Sequence, residues 1–285
     1  MPDGDRSLTG RIFLFAAAAV MTAVNAGAQP TQPVVSPAPA EPAFFSRSDF
    51  HLNAAWLGTQ SAPADETTPG ADKRFNWDTF WGGSLDFIDY VGGRVGLLID
   101  YEAVLGSEYQ LFDPNQGSYT LEASASARVD DEFEAVVLFH HVSRHLSDRP
   151  KVRNPVAYNE LGGRLLYRSH FGSATLDVDA EAGWVTERAY VDYTSMADLQ
   201  LLLRKPMTPR LGMFAHAAGH LIGVDTAVAG RTRTQTGGLV EAGVHIKGSG
   251  GSMELFAGYE KRIDADPLDR QPQHWALAGF RLLSR

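Results

Sequence analysis

The chain has 285 residues, no cysteine, and a formal charge of -9 from 25 Lys+Arg against 34 Asp+Glu. A hydrophobic content of 44% is enough to build a sizeable core and excludes a chain disordered throughout. The acidic balance excludes phosphate-dominated nucleic-acid binding, and the missing cysteines exclude a disulfide-stapled miniprotein.

The first segment is an export signal. Arg11 is followed by an apolar run, Ile12 to Val24, and then by the small-x-small sequence Ala26-Gly27-Ala28, which predicts cleavage after Ala28. Asp3 and Asp5 cancel Arg6 and Arg11, so the charge of the mature chain stays at -9. The run is too short to span a bilayer as a helix. Residues 29–47 then read as a Pro-rich periplasmic linker, with QPTQPVVSPAPAEP lacking any apolar period, and residues 48–285 as the folded domain.

Beyond the linker no window sustains the i, i+3, i+4, i+7 pattern of a long helix, and the dominant signal is strict alternation. Between Tyr119 and Val129, one face carries Tyr119, Leu121, Ala123, Ala125 and Ala127; the other carries Thr120, Glu122, Ser124, Ser126 and Arg128. Ala174 to Trp184 repeats the design, with Asp177, Asp179 and Glu181 on one face, and Val95 to Glu102 and Val240 to Ile246 follow it. Leu98, Leu202 and Leu239 break the pattern locally. These runs reach roughly the 9–11 residues of a membrane-crossing strand.

Continuing along the chain predicts about twelve strands, near 49–57, 77–90, 93–104, 118–129, 133–146, 158–168, 174–186, 193–204, 210–221, 235–246, 253–262 and 274–284. Short connections alternate with longer ones, as between the periplasmic turns and outer loops of a transmembrane antiparallel β-barrel. A soluble β-sandwich or lipocalin-like barrel also alternates, but Tyr101, Tyr119, Tyr167, Trp184 and Tyr259 sit near the ends of the apolar faces, where a membrane girdle belongs. The expected location is the outer membrane, and the expected partners are its lipids and, during biogenesis, the barrel-assembly machinery. The last strand alternates Ala276, Ala278, Phe280 and Leu282 but ends in Ser284-Arg285 instead of a terminal aromatic.

Candidate chemistry is concentrated in Phe139-His140-His141-Val142-Ser143-Arg144-His145-Leu146-Ser147-Asp148. Period two puts His141, Ser143 and His145 on one face, neighbours about 7 Å apart. Their phase, with Phe133, Ala135, Val137 and Phe139, is apolar until its outer end and should face lipid; on the next strand Asn159 shares a face with Leu161, Leu165 and Tyr167, while Glu160, Arg164 and Arg168 look inward. Ordinary interface residues also fit this pattern, with His145 and Asp148 pinning the following loop.

The string His141-x-Ser143-x-His145-Leu146-x-Asp148, followed by Arg153-Asn154-Pro155, resembles an uncharacterised family of Gram-negative outer-membrane barrels, a domain of unknown function. The shorter His-x-Ser, with Tyr158-Asn159-Glu160-Leu161 on the next strand, is similar to outer-membrane phospholipase A. That second resemblance implies Ser143 as nucleophile, His141 as its base, Asn159 as the group orienting the imidazole, and calcium as an assisting ion. Two departures leave the oxyanion and calcium ligands unassigned: Arg144-His145 follows the serine, and the loop before Asn159 is longer. His-x-Ser is also shared with a lipid A deacylase barrel, whose acid would correspond to Glu160, a residue on the opposite face. His216 and His220 lie about 14 Å apart on a strand, cannot share a metal and are expected in the lumen. Gly248-Ser249-Gly250-Gly251 reads as a turn. Three functions stay open: an esterase acting on phospholipid or lipid A, a narrow small-solute pore, and a structural or surface-binding barrel.

Overall fold

The structure, a computed structural model, describes residues 34–59, 73–146, 156–225, 232–266 and 272–284; the segment expected to be an export signal and Asp148 lie outside them. Twelve strands follow in order: β1 (Ala43–Thr59), β2 (Trp77–Asp89), β3 (Arg94–Gly106), β4 (Asp113–Arg128), β5 (Phe133–Leu146), β6 (Val156–Phe171), β7 (Ala174–Ala189), β8 (Tyr193–Pro206), β9 (Leu211–Val224), β10 (Thr234–Lys247), β11 (Gly251–Arg262) and β12 (Gln273–Ser284). Each pairs antiparallel with its neighbour in sequence, and β1 pairs with β12, so the sheet closes on itself as a twelve-stranded barrel. Closure leaves no open edge and satisfies the backbone within the sheet, the requirement for crossing hydrocarbon.

The alternation sorts the faces as expected. Val95, Leu97, Ile99, Leu121, Val137, Leu165 and Leu199 are exposed on the outer wall, while Asp100, Glu122, Glu134, Arg164, Asp177 and Asp179 are buried inside. Short turns join β2–β3, β4–β5, β6–β7, β8–β9 and β10–β11 at the end holding both strand termini of the sheet. The tightest is Phe171–Ala174, where Gly172 takes a φ of 63°, a left-handed conformation that glycine adopts without penalty. Gly248 N–H bonds the Gly251 carbonyl, closing the expected β10–β11 turn.

The lumen is filled, by two devices. Arginines bridge carboxylates across it: Arg262 reaches Glu102 (2.8 Å), Glu260 (2.7 Å) and Asp78, and Arg281 reaches Glu241 (2.7 Å) and Glu254 (2.8 Å). Apolar side chains occupy the rest, with Leu57, Phe75, Leu202, Phe214, Leu239, Phe256 and Trp275 forming one buried cluster. Leu202 and Leu239 interrupt the alternation because they belong to this interior packing, and Leu98 also points inward and is buried. His216 and His220 face the lumen, as expected, beside Glu241 (3.3 Å) and Asp198 (2.5 Å).

Two boundaries move. β4 begins at Asp113, not 118, because Asn115 and Gln116 are held by Arg74 and Ala265 carbonyls (2.9 and 2.6 Å) at the loop end of the barrel. Pro114 is accommodated at a register shift opposite Leu105. The segment read as a linker to residue 47 enters the fold earlier. β1 starts at Ala43, and Val35 and Ser36 are buried in the barrel mouth. There Arg94 donates to the Val34 carbonyl (2.9 Å), Arg168 to that of Val35 (3.4 Å) and Arg128 to that of Ser36 (2.8 Å), while Ser36 N–H bonds Glu134 (3.3 Å). Extended Pro-rich backbone offers carbonyls with no ladder partner, and inward arginines supply the donors.

Candidate functional site

β5 carries two histidines in succession on opposite faces. His140 points into the lumen; His141, Ser143 and His145 point outward. Nine to eleven tilted residues cross the hydrocarbon, so Ser143, eleventh residue of β5 from the turn end, lies at the far boundary of the apolar layer. Tyr119 of β4 pairs directly with Ser143 and places its ring over the patch.

The structure brings together two of the three predicted site residues and gives the third a different partner. His141 Nδ1–H donates to Asn159 Oδ1 at 2.7 Å, with the two residues directly opposite across β5–β6. Asn159 Nδ2 donates to Glu187 Oε2 at 3.0 Å. The carboxylate thus orients the amide, and the amide oxygen fixes the proton of His141 on Nδ1, leaving Nε2 with its lone pair. Ser143 Oγ is bonded to His145 Nε2 at 3.1 Å, not to His141, as the phospholipase resemblance had implied. The same nitrogen meets Tyr119 Oη at 3.1 Å, and the two rings stack at 5.5 Å. Covered this way, Ser143 is 4% exposed although it faces outward. The expected pinning of the loop by His145 and Asp148 involves a residue outside those described.

Glu187 was not predicted, and the reason is a β-bulge. Odd-numbered residues of β7 from Asp177 to Val185 point inward, so parity would send Glu187 into the lumen. Between Asn159 and Glu160 the register shifts, so that Glu160 faces Val185 while Asn159 faces Glu187. The extra residue, Thr186, turns Glu187 outward. Glu160 points inward, as expected, and is therefore no partner for Ser143.

Calcium takes six to eight oxygen ligands at about 2.3–2.6 Å. Among the described residues the patch offers one carboxylate, Glu187, already engaged by Asn159. This set does not fit a calcium site.

The lumen holds cavities that include ones of about 210 and 150 Å³, both lined by Arg164. The first is also lined by Val34 of the inserted segment, with Arg94 and Glu122.

No protein-family model and no curated protein sequence matches the chain. Among solved structures, an outer-membrane channel from Pseudomonas putida F1 is similar, with a TM-score of 0.54 at 13% identity over 92% of this chain and 99% of that one. LpxR from Salmonella typhimurium gives 0.47 at 9% identity over 83% and 99%, and the translocator domain of the autotransporter NalP from Neisseria meningitidis gives 0.40 at 13% over 98% and 95%. Closed topology, an apolar outer wall, a charged interior and the first of these likenesses define the class: the protein is a twelve-stranded outer-membrane β-barrel.

Proposed function

We propose that the protein is a lipid-facing serine acyl hydrolase of the outer membrane, acting on the ester bonds of phospholipid or lipid A from outside the barrel wall. The observation that carries this reading is the outward His141–Asn159 hydrogen bond of 2.7 Å, backed by Glu187, two residues from a serine at the edge of the apolar layer. A lipid-facing wall gains nothing from a buried serine, two imidazoles and an amide in contact. The filled lumen favours this over the pore.

In this proposal Ser143 Oγ attacks the ester carbonyl, its proton passes to an imidazole, and the imidazole returns it to the departing alcohol; water then hydrolyses the acyl-serine by the same route. His141 is the base, because Asn159 holds its tautomer. His145 is the resting partner: its one Nε2 lone pair is contested by Tyr119 and Ser143. A rotation of the Ser143 side chain between staggered positions exchanges one imidazole for the other, since both lie two residues away on the same face. No step depends on calcium.

The test is hydrolysis of phospholipid and release of acyl chains from lipid A by the purified folded barrel in mixed micelles. Ser143→Ala and His141→Ala abolish turnover, Asn159→Ala leaves a reduced rate, and His145→Ala retains activity because it removes only the resting contact. Loss in His145→Ala with retention in His141→Ala would exchange the roles of the two imidazoles. Equal hydrolysis by wild type and Ser143→Ala, or none by well-folded wild type, refutes the enzyme and leaves a structural or surface-binding barrel.

A further inference from the structure

Directly behind the outward patch, on the luminal face of the same strands, His140, Glu160 and Glu181 converge. Each offers one ligand atom, and the three atoms lie within 4.8 Å of one another. His140 Nδ1 is 3.3 Å from Glu181 Oε1 and 4.0 Å from Glu160 Oε2. Four ligands at about 2.0–2.1 Å in a tetrahedron stand about 3.3–3.4 Å apart, so a modest inward movement of Glu160 completes three corners.

The surroundings are arranged as a metal site requires. The opposite nitrogen, His140 Nε2, is 2.6 Å from Glu122 Oε2; with its proton held there, the Nδ1 lone pair is turned toward the two carboxylates. A carboxylate behind a ligating imidazole is the usual outer partner of such a ligand. Arg164 occupies both oxygens of Glu122 and the Oε2 of Glu181 (2.8 Å from Nε), leaving Glu181 Oε1 for the centre.

Glu160 is the independent sign. It is 3% exposed, and among the described residues its Oε1 has no hydrogen-bond partner. Oε2 is the oxygen nearer His140; a buried carboxylate with one oxygen lacking a donor is costly, and a cation held at Oε2 would offset that charge. The space it occupies is kept open across the sheet by Gly183, where an added Cβ would stand 2.4 Å from Glu160 Oε1. A cavity of about 150 Å³, lined by all three residues, borders the cluster and has room for a water in the fourth position.

We propose that His140, Glu160 and Glu181 bind a first-row divalent cation, of which zinc is the probe, inside the barrel. His140 enters as neutral imidazole, and the mixed nitrogen and carboxylate set suits zinc better than a hard cation that prefers oxygen alone. The site is separated from Ser143 by the thickness of the sheet and does not depend on the acyl-hydrolase reading.

The folded barrel, purified in detergent and stripped with chelator, is titrated with zinc chloride by calorimetry, and the loaded sample is examined by X-ray absorption at the zinc edge. The expected result is one zinc per chain with a nitrogen/oxygen shell containing a single imidazole. Glu160→Gln, which keeps the side-chain volume, and His140→Ala each weaken binding at least tenfold, and Glu122→Gln about tenfold through the outer partner. Folding of each variant is read separately from the gel mobility of the unboiled barrel. Folded wild type that retains no zinc, or zinc held by Glu160→Gln with wild-type affinity, overturns the proposal; His140 then serves as a charged bridge among carboxylates.

Discussion

Replacing Arg164 by methionine tests whether the lumen is a dry, ion-paired interior. Its guanidinium donates to both oxygens of Glu122 (3.0 and 2.8 Å) and to Glu181 (2.8 Å from Nε), and stands 3.5 Å from Asp179. Arg164 and its three partners are all buried. In such a site the Coulomb gain and the desolvation penalty nearly cancel for the intact network, but removing the guanidinium strands several carboxylates in low dielectric, which costs about 3–5 kcal/mol. Arg164→Met should therefore lower the unfolding free energy by that amount, measured by urea titration in lipid vesicles with tryptophan fluorescence. Glu122→Gln combined with Arg164→Met should cost less than the sum of the single changes, with a coupling of about 1–3 kcal/mol, because each substitution removes the other's orphan. A single-variant cost below about 0.5 kcal/mol would refute the reasoning. It would mean that water reaches these groups and screens them as it does surface pairs.

The outer wall gives the complementary expectation. Ala180 faces lipid between Leu165 and Leu199, so Ala180→Arg should destabilise by about 2–4 kcal/mol in the same assay, and Asp179→Asn, pointing inward, by less; the reverse order would show the facing to be wrong. With ion pairs crossing the lumen and the Val34–Ser36 segment held in its mouth, the barrel should show no steady conductance in planar bilayers; stable open channels would favour the pore over the hydrolase.

The fold was legible because lipid outside and charge inside impose opposite demands on successive residues. Leu121 beside Glu122, or Ala180 beside Asp179, states the facing without any three-dimensional knowledge. Where the interior is not polar the signal fades. Leu202 and Leu239 look like errors of alternation until Phe214, Phe256 and Trp275 are seen beside them as one cluster. The start of β4 was hidden for a related reason: Asp113, Pro114 and Asn115 are poor strand formers, yet at the loop end a strand whose side chains are satisfied by loop carbonyls tolerates them. Of the outward patch, the face of His141, Ser143 and Asn159 was readable from period two. The pairing of Ser143 with His145 was not, since neighbours on either side at i±2 are equivalent in sequence.

The bulge at Thr186 explains why β5 and β6 can hold polar clusters on both faces at once. Without it, strict pairing would bring Glu187 to the luminal side opposite Tyr158 and leave the Asn159 amide facing lipid without its acceptor. With it, one acid is moved through the sheet. Inside, the charges stay within reach of Arg164; outside, Asn159 gains the acceptor that fixes its orientation and hence the tautomer of His141. One inserted residue thus sets the hydrogen-bond geometry of His141 and Asn159 on the lipid face. Alternation alone locates strands, but the break in alternation is what assigns chemistry to them.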